Sequence, residues 1–265
     1  MGLGTLIVKE SIANDALPIE GADVLIKNSD GQILHMLKTD ASGQTQAIPL
    51  SAPDKMLTLS PDFKGTPYST YNAEISCPGF VTEIINGIQI FDGVEAVEDV
   101  QMMPFVPGES PQDIINITPH KQTMTVPFDQ QGPSELLAGR VLQRVVIPDF
   151  ITVHLGKYSD AGARNIRVAF PLYIKNVASS EIYPTWPEAS LEANIRAIIN
   201  FALNRVYTEW YRIRDYNFDI TSSTSNDMYF VEGRDIFTSI SVIVDRIMGE
   251  YLRRPGHNEP YFTEF

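Results

Sequence analysis

The chain has 265 residues, 43% of them hydrophobic, and 33 acidic against 20 basic residues give a formal net charge of −13. Its length exceeds the usual ~100–150 residues of one domain and predicts two, while the anionic balance argues against nonspecific binding to nucleic acid or to an anionic membrane. One cysteine, Cys77, excludes an internal disulfide; no run of about 20 apolar residues predicts membrane insertion; and Met1 to Ala13 lacks the charged start and apolar core of a secretory signal.

Residues 1–105 read as all β. Alternating or apolar runs fall at Leu6 to Val8, Ala22 to Ile26, Ile33 to Leu37, Tyr71 to Ser76, Thr82 to Ile90 and Val97 to Met103. Turn chemistry separates them at Asn28-Ser29-Asp30-Gly31, Asp40-Ala41-Ser42-Gly43 and Pro78-Gly79. Short strands at such spacing predict a sandwich. No groups converge on a catalytic site here. His35 alternates with Leu34 and Met36 and is expected on the solvent face, Asp40 in a turn, and Cys77 as a small buried hydrophobe.

Residues 106–140 form a Pro-rich linker. Together with Pro104 just ahead of it, the stretch carries Pro107, Pro111, Pro119, Pro127 and Pro133. Such composition predicts an extended, semi-rigid segment without regular elements.

Residues 141–265 read as α+β. Strands are expected at Val141 to Ile147, Phe150 to Leu155 and Arg167 to Tyr173. A helix is expected from near Trp186, with Thr185 as N-cap, Pro187 in the first turn and Glu188 completing a capping box. Its buried stripe is Leu191, Ile195, Ile198, Ile199, Ala202, Leu203, Val206 and Trp210. A second helix is expected over Asp235 to Tyr251, with Ile240, Ile243, Val244, Ile247 and Met248 inside. Tyr261 to Phe265 has strand character. His154 is expected as a hydrogen-bonded strand histidine, His120 and His257 as exposed, and Arg253-Arg254 as a positive cluster at a helix end.

The sharpest feature is Glu181, set among aromatics ahead of the first helix. Locally it reads either as a charge complementing a helix start, stabilising by roughly 0.3–1 kcal/mol, or as a catalytic acid. A positive helix end would favour its carboxylate, and burial beside Ile182, Tyr183 and Trp186 would oppose it. Tyr183 and Trp186 read equally as sugar-stacking platforms and as core.

The segment Ser180-Glu181-Ile182-Tyr183-Pro184-Thr185-Trp186-Pro187 and its helix resemble the SpoIID family of peptidoglycan lytic transglycosylases, whose acidic turn precedes Trp-Pro and an Ala-rich helix. Phe218-Asp219-Ile220, Gly233-Arg234 and Ile240 to Met248 continue the likeness. Val145-Val146-Ile147-Pro148 and Tyr173 to Glu181 bring it nearest the SleC branch of clostridial spore cortex-lytic enzymes. Pro18 to Val24 and Thr39 to Gly43 resemble a carboxypeptidase regulatory-like, transthyretin-type (Ig-like) β-sandwich, and also the propeptide of that branch.

The resemblance implies cleavage of peptidoglycan glycan strands, of spore-cortex type, to 1,6-anhydromuramic ends, with Glu181 as acid then base. One carboxyl serving in turn suits this chemistry, whereas ordinary glycosidases use two. Tyr183, Trp186, Asn194 and Asn200 are the candidate substrate-binding residues, the last two because Ile198-Ile199-Asn200-Phe201 replaces the family's Ala-Arg-Thr-Tyr. Relatives with zinc carry two Cys and a His where Ile220 to Asp227 holds neither type, so no metal and no cofactor are expected.

An activating protease is an implied partner, with processing expected near Ser134 to Arg140, and the sandwich is a candidate for assembly. Synthesis in the cytoplasm and association with the spore follow the same resemblance. Family members continue past the position of Phe265, which reads as a lytic domain truncated at its C-terminus. The alternative from another class is a catalytically silent glycan-binding or structural subunit on the same fold. A plain muramidase would need a second carboxylate, such as Asp215 or Asp219.

Overall fold

The computed structural model describes residues 2–13, 16–60, 62–121 and 142–263. They form a mixed α+β structure, mostly β, with three sheets and three α-helices. Two compact units divide the chain: residues 1–119 with 183–186 and 232–239, and residues 120–182 with 187–231 and 240–265.

The first unit holds two five-stranded sheets. One contains β1 (Gly2–Ile12), β2 (Leu17–Pro18), β5 (Ile48–Ala52), β8 (Glu95–Gln101) and β13 (Ile236–Phe237). The other runs β4 (Ile33–Lys38), β3 (Asp23–Lys27), β6 (Ser69–Ser76), β7 (Thr82–Ile90) and β9 (Gln112–Asn116). Strict alternation drives burial: Leu6, Val8 and Glu10 point inward from β1, Ala96, Glu98 and Val100 from the parallel β8. Val24, Ile26, Ala73, Ile75 and Ile85 face inward from the second sheet. A hydrogen bond from the Tyr71 hydroxyl to Ser51 O (2.8 Å) joins the sheets.

The predicted strands in this region all form, and three more, β2, β5 and β9, add to them. β9 lies inside the Pro-rich stretch expected to lack regular elements and pairs parallel with β7, Thr82 opposite Gln112. Only the first half of that stretch can be compared, since 122–141 fall outside the described residues, and the processing region Ser134 to Arg140 with them. His35 does not take the solvent face against buried neighbours: it is half-buried, while Leu34 and Met36 are 45% and 73% exposed. The cause is position, because β4 pairs only with β3 and lies at the sheet edge, with an irregular register at Ile26/Lys27. Cys77 is likewise half-buried rather than buried. Asp40 forms its turn as expected, its Oδ1 accepting from the Ser42 and Gln44 amides and the Ser42 hydroxyl.

The second unit holds a three-stranded sheet, β11 (Asn165–Ala169), β10 (Phe150–His154) and β12 (Ile220–Thr221), with helices α1 (Phe170–Glu181) and α2 (Glu188–Tyr207). α3 (Thr238–Ile247) belongs to this unit from Ile240 onward and buries Ile240, Ile243, Val244 and Ile247. Lys175 of α1 pairs with Asp245 of α3 (2.8 Å), and Arg196 and Arg246 share Glu192 (2.8 and 2.9 Å). His154 is a hydrogen-bonded strand histidine, bound to Asn165 and the Lys157 carbonyl and stacked on Phe218.

Five expectations in this unit are not met. Residues 142–147 are irregular, because β10 already has β11 and β12 as neighbours and Pro148 follows. The strand expected to reach Tyr173 ends at Ala169: Pro171 fits a helical first turn, and Phe170, Ile174, Val177 and Ala178 are spaced for a buried helix face. α2 starts at Glu188 with Pro187 in the cap position and no side-chain cap. The Thr185 hydroxyl instead donates to Thr58 Oγ1 (2.9 Å), within the first unit. The second helix is shortened at both ends, β13 taking residues 236–237. Tyr261 to Thr263 are irregular, and the last two residues lie outside those described.

No helix among the described residues is long and apolar enough to cross a membrane.

Candidate functional site

Glu181 precedes α2 in the chain as expected, but it is itself the last residue of a further helix, α1, and it is 2% exposed. The dipole effect is therefore reversed from the expectation: a helix C-terminus is the negative pole and disfavours a carboxylate. The chain segment 226–231 runs along α1 and is fastened at three points. The Asn176 side chain donates to Val231 O (2.7 Å) and accepts from Val231 N (3.0 Å). The Tyr229 amide donates to Glu181 Oε1 (2.7 Å). The Phe230 ring lies parallel to Tyr173, centroids 5.7 Å apart.

Behind this segment sits a buried charge network. Asp227 accepts from Arg205 Nε (2.7 Å), the Tyr211 hydroxyl (2.6 Å), and the Thr221 amide and hydroxyl (2.9 and 2.8 Å). Arg205 is 2% exposed and lies over the Phe201 and Trp210 rings at 4.8 and 4.6 Å. Burial, then the Asp227 carboxylate, holds the Tyr211 hydroxyl far above its usual range. Burial also raises Tyr173 well above its usual range, followed by the charges of Asp227 and Glu181. These groups share one electrostatic neighbourhood.

Lys121 completes the surroundings from the chain ahead of the site. Its amide donates to Ser180 O (3.0 Å), its ammonium reaches Thr224 Oγ1 (2.8 Å) and lies 5.7 Å from the centre of the Tyr229 ring.

The other sequence-derived site residues take their hydrogen bonds elsewhere. Tyr183 and Trp186 belong to the first unit, edge-to-face with each other at 5.9 Å, with Tyr183 also 5.9 Å from Phe91 and Trp186 Nε1 donating to Thr58 O (3.3 Å). Asn194 turns back to Ser190 O of its own helix (2.8 Å). Asn200, fully buried, ties the late chain down: it donates to Leu252 O and Tyr261 O and accepts from the Leu252 amide. Asp219 accepts from Arg212 Nε (2.8 Å) and the Thr152 amide (2.8 Å), and Asp215 caps a short 3-10 turn with a left-handed backbone, φ 64°. Among the described residues no three His, Cys, Asp or Glu side chains gather as metal ligands.

Arg205, Tyr211, Asp227 and Tyr229 were not singled out from the sequence. One signal was present: Arg205 falls seven residues after Ile198 and three after Ala202, on the buried stripe of α2, where an arginine requires an acidic partner.

No family model matches the chain, and no curated protein matches it. Among solved structures it is similar to a type II cohesin–X-dockerin complex from Acetivibrio cellulolyticus (14% identity, 40% of this chain and 64% of that one, TM-score 0.26). It is also similar to the TIE protein of Bacillus anthracis (14%, 63% and 27%, TM-score 0.28). A third is a mercury-inhibited catechol 1,2-dioxygenase from an Acinetobacter species (16%, 43% and 59%, TM-score 0.25). The chain spans less than two thirds of the length of each, and likeness at this level identifies neither a fold family nor an activity.

Proposed function

We propose that this protein is a SpoIID-type peptidoglycan lytic transglycosylase of the cortex-lytic kind, with Glu181 as its acid and then its base. The first unit is proposed as a transthyretin-like sandwich with a propeptide role, and glycan strands and an activating protease as the partners. The observation that supports this most is the setting of Glu181: a carboxyl at the negative end of α1, 2% exposed, followed by Ile182 at 3%. An acid catalyst must be held in a defined place, and the last turn of α1 together with the Tyr229 amide holds this carboxyl. Glu181 gives its proton to the glycosidic oxygen as the bond to C1 breaks. The C6 hydroxyl of the same muramic residue then closes on C1 and loses its proton to the Glu181 carboxylate, leaving a 1,6-anhydro end. Asp227 and Asp219 are each held by an arginine, which speaks against either serving as the second carboxylate of a hydrolase.

A second reading, a catalytically silent glycan-binding or structural subunit, is favoured by the bond from the Tyr229 amide to Glu181 Oε1, which gives the carboxyl a structural task. Mass spectrometry of muropeptides released from spore cortex and vegetative wall separates the two. Glu181→Gln keeps an oxygen for the Tyr229 amide but has no proton to give. Anhydromuramic products from the full chain, falling by about 10²–10⁴-fold in the variant, support the transglycosylase; no products from a soluble, folded wild-type chain support the silent subunit.

A further inference from the structure

Strand β13 comes from late in the chain, yet it forms the edge of a sheet otherwise made from residues 2–101, and only two residue pairs join it to β8: Ile236 opposite Val97 and Phe237 opposite Ala96. Phe237 is fully buried and edge-on to Phe91 at 5.2 Å, and the Thr238 hydroxyl donates to Glu95 Oε1 (2.9 Å). Immediately before the strand, Arg234 and Asp235 enter the unit at 4% and 0% exposure. Arg234 donates to Thr118 O (2.7 Å), and its Nη1 lies 3.7 Å from Asp235 Oδ1. Glu98, 1% exposed, points inward from β8 toward the same place.

Two carboxyls and one guanidinium are thus enclosed together. With one proton shared between the carboxyls the cluster is neutral; without it, one negative charge is left inside. The surroundings are poor in compensation. Among the described residues, neither Glu98 Oε2 nor either Asp235 oxygen has a hydrogen-bond partner of normal geometry, although the Gln89 and Asp235 amides lie near enough to favour the Asp235 charge. On β8 the flanking Asp99 is bound to Lys9 of β1 (3.1 Å), and Glu95 holds Thr238. β1 sets Val8 opposite Glu98, with Glu10 two residues on, and β7 offers neutral Gln89, 1% exposed. Arg234 is the cation that acts on both carboxyls.

We propose that residues 232–239 are a proton-governed latch: β13 stays on β8 while Glu98 and Asp235 hold one proton between them, and the segment is released from the sheet when that proton leaves. Burial raises Glu98 well above the ordinary carboxylate range, with Asp235 adding to the effect and Arg234 opposing it. Burial raises Asp235 too, again opposed by Arg234. The pair therefore keeps its proton at pH values where exposed carboxyls have lost theirs. The latch operates independently of any glycan chemistry at Glu181.

The test is hydrogen exchange by mass spectrometry on the full chain across the acid-to-alkaline range, corrected for the intrinsic pH dependence of exchange. Peptides covering 232–239 are compared with peptides covering β3, in the other sheet. Protection of 232–239 is expected to fall by about tenfold or more beyond whatever loss β3 shows as pH rises, the size expected when one proton's linkage is lost over about one unit. Glu98→Gln is expected to flatten the profile, and Asp235→Asn is read the same way. Flat wild-type protection, parallel loss in β3, or an unchanged profile in either folded variant overturns the latch. Should neither variant fold, the wild-type comparison of the two peptides decides.

Discussion

Asp227 in the second unit and Glu10 in the first are both buried acids, and they are kept by opposite means. Asp227 receives four donors, two of them from Thr221, and is paired with Arg205. Glu10, 0% exposed on β1, has no hydrogen-bond partner on either oxygen among the described residues. Its pKa is pushed up to about 8, first by burial and then by Glu83 on β7. Glu83 in turn is raised to about 7, by burial and then by Asp113. One unit answers the desolvation cost with a guanidinium, the other with a proton. The second solution is sensitive to pH near neutrality.

Removing the guanidinium breaks the contrast most severely. Arg205→Met leaves the Asp227 charge enclosed without its partner, an expected loss of about 3–5 kcal/mol in chemical denaturation. Replacing both, Arg205→Met with Asp227→Leu, is expected to recover most of that loss, since no charge is then stranded. A single-variant cost under about 1 kcal/mol would mean that water reaches Asp227 and that the second unit does not depend on the pair.

The next largest effect is the pH dependence of the first unit. Glu10 has a higher pKa folded than unfolded, so between 4.5 and about 8 the folded state binds more protons and stability falls as pH rises. Its contribution is fully present below the unfolded value and is lost as pH rises to about 8; Glu83 follows the same sign, its contribution lost as pH rises from 4.5 to about 7. Thermal unfolding of wild type from pH 5.5 to 9 is expected to show a loss on the order of 2–4 kcal/mol. Glu10→Gln is expected to remove the larger part of that slope. A variant with the wild-type slope would place the titration elsewhere.

Why the acids escaped the sequence reading is instructive, because the strands that carry them did not. Alternation located β1, β7 and β8, and the phase of Leu6 and Val8 fixed which face points inward. A glutamate at the next inward position still reads as outward, since residue type and phase disagree and type is the stronger prior. Pro49 in β5 and the prolines around β9 hid strands that sheet neighbours hold in place regardless. In the second unit Glu181 stood out by its local residues, but what surrounds it did not. The Tyr229 amide lies 48 residues away along the chain, and Arg205 and Asp227 are separated by 22. Reading Phe170 to Tyr173 as a strand also put Glu181 at the wrong pole of a helix, an error of four residues that reverses an electrostatic argument.

The smallest effect tests the other helix boundary. As an N-cap of α2, Thr185 would stabilise by about 1 kcal/mol; as a donor to Thr58, it is worth about 0.5–1.5 kcal/mol. The energies overlap, so the size of a Thr185→Ala loss decides nothing, and its location decides everything. Because Pro187 occupies the cap position without a side-chain bond, exchange protection in the first turn of α2, from Glu188, is expected to be unchanged. The loss is expected instead around Thr58, in the 3-10 turn Lys55–Leu59, where the hydroxyl it contacted is left without that donor. Fraying of α2 in the variant would restore the capping role and move the helix start back toward Trp186.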